Sequence, residues 1–212
     1  MTNPAAVHPE HWLSARAITD HDDLRRVFAL RYRVYCEERG FFPPEDYWDC
    51  LEIDEYDDRS AHFAAFDPQG DVAGSVRLVC HERGGGFPHQ RHCLLFDDVK
   101  VPDGRKCGEV SRLVLNRSHR TPPGGGNTGT VIMSVYREMY RHSLENGIQY
   151  WYAAMERSLV RMMGRIGVEY QCIGPEVDYC GPVAPYLLEL SSLQERLARV
   201  SPALLHYLNS AL

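Results

Sequence analysis

No apolar run in the 212-residue chain approaches the roughly 20 residues that a membrane span requires, so no transmembrane segment is expected. The amino-terminal stretch MTNPAAVHPEHWLSARAITD lacks a basic region followed by an apolar core, so no secretory signal of the usual pattern is expected. The seven cysteines, at 36, 50, 80, 93, 107, 172 and 180, are odd in number and form no C-x-x-C pair and none of the usual zinc spacings. A reduced, cytoplasmic setting is therefore expected. No internal repeat and no low-complexity segment is present. The net charge of -6 argues against nonspecific nucleic-acid binding.

What remains has ordinary globular proportions, 44% hydrophobic and 25% charged, and a length that suits one domain with a real core. The charges are unevenly distributed. Residues 41–60 carry eight acids and one Arg, whereas residues 100–170 hold 11 Lys or Arg against 6 Asp or Glu. Such segments are either solvated faces or, for the positive one, a surface that meets an acidic partner. Ten histidines are present, but His89 and His92 fall in the loop-like GGGFPHQRHC without a second ligand pair nearby, and no metal site is expected.

Asp20 and Asp22, followed by Leu24, Val27, Phe28 and Tyr35 at helical spacing, predict a first helix. The runs AHFAAFD and VAGSVRLVC, separated by PQGD, predict a hairpin, and GEVSRLVLN a further strand. PPGGGNTGT then breaks the chain before a helix that opens near Asn127 or Thr128 and stops at Gly147. A strand (IQYWYAA), a helix stopped by Gly167, a strand (VEYQCIG) and a strand-like PYLLEL follow, and a helical tail from about Ser192 is interrupted by Pro202. This order predicts helices packed on a mixed, largely antiparallel sheet.

Chemistry is signalled where charge sits inside apolar runs. Arg31 shares the apolar face of the first helix with Phe28 and Tyr35, and a buried guanidinium must have an anionic partner, for which the acidic segment is the candidate. Arg77 and Arg112 lie among Val, Leu and Ser of two strands. Glu109 stands three residues before Arg112, which on a flat strand means opposite faces; a bulge would bring both to one face.

The fragments LRYRVYCEERGF, LEIDEYD, GSVRLV and GEVSRLVLN, in this order and spacing, resemble the acyl-homoserine-lactone (autoinducer) synthases and the N-acyl amino acid synthases of the GNAT-like fold. They look closest to the acyltransferases associated with PEP-CTERM and exosortase systems. The resemblance runs from about Leu24 to Gly174. It implies a GNAT-like three-layer α/β (α+β) domain over residues 1–190, with a carboxyl-terminal helical extension over 191–212. By resemblance Arg31, Tyr35 and Phe41 match the amino-terminal motif, Glu52, Asp54 and Asp57 the acidic triplet, Arg77 the strand arginine, and Glu109 with Arg112 the later pair. Tyr35 and Phe41 stand where the lactone synthases usually have phenylalanine and tryptophan, which makes S-adenosylmethionine a less favoured substrate than an amino acid or similar amine.

The implied reaction moves a fatty acyl group from a thioester to an amine that is protonated at neutral pH, so a base is needed, with Glu109 the first choice and Glu52 the second. Backbone amides of Leu113 and Val114 are candidates for holding the developing oxyanion. A glycine-rich loop before a helix offers N–H groups to a phosphate, which makes Arg117, Arg120, Gly124, Gly125, Gly126, Asn127 and Thr128 candidates for the pantetheine arm. The segment departs from the R/Q-x-x-G-x-G/A spacing of coenzyme A acetyltransferases, which favours an acyl carrier protein over acyl-CoA as donor; no permanently bound cofactor is implied. Aromatic and Met residues of IQYWYAAM and RMMGRIG serve either core packing or an acyl pocket. A Cys36 or Cys50 nucleophile with His62 is weighed and not favoured over buried free thiols. The rival reading from another class is a noncatalytic acyl-binding or regulatory protein on the same fold.

Overall fold

In the computed structural model, which describes residues 13–81, 85–120 and 128–210, the first predicted helix is α1, His21–Tyr32. Asp20 caps it, its carboxylate accepting the N–H groups of Asp22 (2.9 Å) and Asp23 (3.1 Å), which satisfies two of the donors that a helix start leaves open. The chain continues through a π-helical stretch, Arg33–Glu38, a local widening found mostly near functional sites. The buried face of α1 carries Val27, Phe28, Leu30, Arg31 and Tyr32.

The strands are β1 (Ser14–Ile18), β2 (Ser60–Phe66), β3 (Val72–Cys80), β4 (Cys107–Leu115), β5 (Tyr150–Met155), β6 (Gln171–Cys172), β7 (Val177–Asp178) and β8 (Pro182–Glu189). The remaining helices are α2 (His89–His92), α3 (Thr128–Glu145), α4 (Arg157–Arg165), α5 (Leu190–Val200) and α6 (Pro202–Asn209). Their strand order is β1-β2-β3-β4-β5-β8-β6, with β7 pairing β8. The fold is the expected mixed α/β arrangement, an open, mostly antiparallel eight-stranded sheet with flanking helices. Among the described residues no helix is long and apolar enough to cross a membrane.

The described residues divide into two compact units, through both of which β3 and β4 run. The first takes in Met1–Glu52, His62–Val76 and Leu113–Glu138. Its core joins Val27, Phe28, Leu30 and Val34 to Leu51, Ala64, Phe66, Val72 and Val114. Within it β1 runs antiparallel to β2, from Ser14 opposite Phe66 to Ile18 opposite His62. The hairpin turn is tied by Asp67, whose carboxylate accepts from the N–H groups of Gln69 (3.0 Å) and Asp71 (2.8 Å).

The second unit takes in Ile53–Ala61, Arg77–Arg112 and Met139–Leu212. β5 runs parallel to β4 and antiparallel to β8, and Tyr56, Val79, Phe87, Cys107, Tyr152 and Ile173 pack together. The helical tail is a packed part of this unit, with Leu190, Leu193, Leu197 and Leu208 buried. Gly167 (φ +92°) ends the α4 segment as expected. Gly174 has a different reason to be glycine: a Cβ there would stand 2.0 Å from the Leu94 carbonyl oxygen. Gly174→Ala is expected to lower stability by about 1–3 kcal/mol through overpacking against backbone, read as a lower midpoint in urea denaturation.

Candidate active site

In the first unit, Arg31 and Glu52 are 1% and 0% exposed, and the guanidinium Nε donates to the carboxylate at 2.5 Å. This meets the requirement that a buried arginine be neutralised, and the carboxylate belongs to the acidic segment expected to supply it. Glu52, the second-choice base, is a buried counter-ion. Tyr35 and Phe41 are brought together as expected, their rings stacked with centroids 6.1 Å apart, and the Tyr35 hydroxyl donates to the Leu113 carbonyl at 3.3 Å. Val114, beside Leu113 at the end of β4, is buried.

Two of the residues assigned to the pantetheine phosphate are engaged within the chain. Arg120 directs Nε (2.8 Å) and Nη2 (2.6 Å) to the Leu115 carbonyl and Nη1 to Glu38, so its guanidinium braces the end of β4 and is not held open for an anion. The Thr128 hydroxyl donates to the Arg120 carbonyl at 3.0 Å. Arg117 is exposed in a 3-10 turn, and Gly124, Gly125, Gly126 and Asn127 lie outside the described residues.

The second unit assembles the rest. Asx-type turns fold the acidic segment back on itself: the Asp54 N–H donates to Asp57 at 2.8 Å and the Tyr56 N–H to Asp54 at 2.9 Å. Both carboxylates then face β3, where Arg77 Nη1 donates to Asp54 (2.5 Å) and Asp57 (2.9 Å) and Nε donates to Ser111 Oγ (3.0 Å). Arg112 Nη2 donates to the other Asp54 oxygen at 2.9 Å. Adjacent residues on a regular strand point to opposite faces, yet Ser111 and Arg112 reach one network. The break is at Arg112, whose φ of +51° is rare for a residue with a side chain, and it supplies the irregularity expected between Glu109 and Arg112. Arg77 and Asp57 are buried, while Asp54 and Arg112 keep 23% and 13% of their side chains open.

Burial alone would raise the Asp54 carboxyl, but the hydrogen bond and charge of Arg77 and the charge of Arg112 outweigh it and hold the group below the ordinary Asp value. A carboxyl depressed on folding contributes stability that is present above its unfolded value, about 3.9, and is lost as pH falls through the folded one. Asp54→Asn is expected to flatten that acid limb in a series of urea midpoints taken from pH 5 downwards.

Glu109 is not paired with Arg112. Its carboxylate accepts from the backbone N–H of His89 (3.1 and 3.0 Å) and from His89 Nδ1 (2.7 Å), and both residues are almost fully buried. The segment read as a loop closes into α2 and delivers His89 to this position. The sequence marks His89 only for a metal reading that is not favoured and does not mark Ser111, and no spacing signal ties His89, which comes from a glycine-rich segment 20 residues upstream, to Glu109. β4 and β5 are in register only from Cys107 opposite Tyr150 to Glu109 opposite Tyr152, although both strands run on; past Glu109 the two strands no longer pair. Beyond Arg112, Tyr179 stacks on His92 with ring centroids 3.8 Å apart.

The open, mostly antiparallel sheet, with β4 and β5 parallel at its centre and parting beside a break in β4, is a GNAT-like fold. Residues 30–125 match the family model described as an acetyltransferase (GNAT) domain. An acyl-homoserine-lactone synthase of Aliivibrio fischeri is 23% identical over 80% of this chain and 86% of its own length. The structure of BjaI, a CoA-dependent acyl-homoserine lactone synthase solved with SAM and isopentyl-CoA, matches with a TM-score of 0.62 at 20% identity, covering 90% of each chain. FeeM, an N-acyl amino acid synthase from uncultured soil microbes, matches with a TM-score of 0.62 at 14% identity, covering 88% of this chain and 96% of its own.

Proposed function

We propose that this protein is an N-acyltransferase that moves a fatty acyl group from an acyl carrier protein thioester to the amino group of a small zwitterionic acceptor, an amino acid or close relative. The observation that carries this reading is the partly exposed Asp54–Arg112 pair backed by buried Arg77. A carboxylate that can accept from an ammonium, beside guanidinium charge that favours a carboxylate, suits a molecule bearing both charges. Arg77 and Ser111 fix the pair in place, so the acceptor meets a preorganised site.

Glu109 stands two residues before Ser111 on the same strand, and with His89 bound to it brings proton-accepting chemistry to that region. The parting of β4 and β5 leaves backbone groups beside Arg112 for the thioester carbonyl, the role expected of Leu113 and Val114 further along. The positive excess of residues 100–170 supports an acidic carrier protein as donor, and the PEP-CTERM association remains a proposal carried by the RYRVYCEERGF and LEIDEYD segments. A second reading, lactone formation from S-adenosylmethionine, is favoured by the lactone-synthase relative, and that substrate carries the same zwitterionic end.

The test is to offer the purified protein acyl carrier protein and coenzyme A thioesters of several chain lengths, with a panel of amino acids and S-adenosylmethionine. N-acyl amino acids in the mass spectrum support the proposal. Lactone alone would move it to the second reading, and activity with coenzyme A thioesters alone would overturn the carrier-protein donor.

A further inference from the structure

The three bonds between His89 and Glu109 have a consequence for where the acceptor's proton goes. An imidazole that donates from Nδ1 to a carboxylate and is otherwise neutral presents a lone pair at Nε2. In this protein His89 Nε2 is buried and has no hydrogen-bond partner among the described residues. Leaving such an atom unmet is costly, a cost that a purely structural role would avoid with an apolar side chain. The ring is also held firmly, stacked on Tyr152 (centroids 4.5 Å apart) and on Phe87 (6.2 Å). Glu109 contributes both carboxylate oxygens to this arrangement.

We infer that the general base of the transfer reaction is His89 Nε2, and that Glu109 is its positioning residue. This rests on the acyl-transfer reading above and names the atom that serves it. Nε2 takes one proton from the acceptor's ammonium, and the resulting imidazolium is stabilised by the Glu109 carboxylate. The freed amine lone pair forms the C–N bond at the thioester carbonyl and the C–S bond breaks. The nitrogen's second proton leaves with the thiol, and the imidazolium returns its proton to solvent.

His89→Asn separates this from a role in which His89 merely holds Glu109, because the Asn amide reaches where Nδ1 does and keeps that hydrogen bond while removing Nε2. The expected result is a loss of kcat of about 10²–10⁴-fold, the usual worth of a general base, with the acceptor KM changed little. Retention of more than about a tenth of the activity would overturn the inference. On the unmodified protein, ¹⁵N NMR of the histidine rings, with His89 assigned by its absence in the variant, should show Nδ1 protonated and Nε2 bare at the assay pH; a proton resident on Nε2 would overturn it as well. A protein that makes no N-acyl product from any donor sinks the transfer reading itself, while the nitrogen shifts still judge the dyad.

Discussion

Glu52→Gln is expected to lower the free energy of unfolding by about 3–5 kcal/mol, since it removes the charge of the buried carboxylate that the Arg31 Nε meets. A neutral amide still offers an oxygen to Nε, so the loss reports on charge and not on shape. The double replacement Arg31→Met with Glu52→Leu removes both charges and fills similar volume, and it should recover most of the loss, because paired charges in an apolar interior contribute little net stability over well-packed carbon. Chemical denaturation of the three proteins checks this. A Glu52→Gln shift below about 1 kcal/mol would mean that Arg31 does not depend on this carboxylate.

Arg77→Lys should leave a folded protein whose kcat/KM for the acceptor falls about 100-fold or more. Lysine keeps the charge but cannot direct one nitrogen at Asp54 and Asp57 while another meets Ser111, which is what the guanidinium fork does. Asp54 would then drift relative to Arg112, and misplacement of a substrate-orienting group by about 1 Å can cost on the order of 10²-fold. Steady-state kinetics with a saturating thioester donor isolate the acceptor. A variant within threefold of the parent would show that the network is scaffolding alone.

Much of the fold was legible because its punctuation is local. Asp20 caps α1, and Gly147 (φ +70°) and Gly167 end the α3 and α4 segments at turns that disfavour a side chain. β1 escaped notice for a physical reason: only Ala15 of its five residues is buried, so it carries no alternating pattern and is defined by its partner β2. The expected strand VEYQCIG shrinks to the two residues Gln171 and Cys172, with the chain around them shaped by Leu94 against Gly174.

The site was legible where charge and burial conflict. Arg77, in a strand with no exposed residue, had to find carboxylates, and Asp54 and Asp57 were the near candidates. The choice of partner for Arg31 was not legible, because Glu52, Asp54 and Asp57 differ only in which way a tightly turned segment aims them. His89 was beyond reach for a different reason. Its role depends on a four-residue helix and a contact across 20 residues, neither of which leaves a period or a cap in the sequence.

The most direct measurement is mass spectrometry of products formed when the purified protein is given a long-chain acyl carrier protein thioester and a mixture of free amino acids. A thioester-dependent amide that disappears in Arg77→Lys and His89→Asn is the expected outcome. A folded protein that binds the thioester yet leaves every amine unmodified would contradict acyl transfer and favour a noncatalytic acyl-binding role.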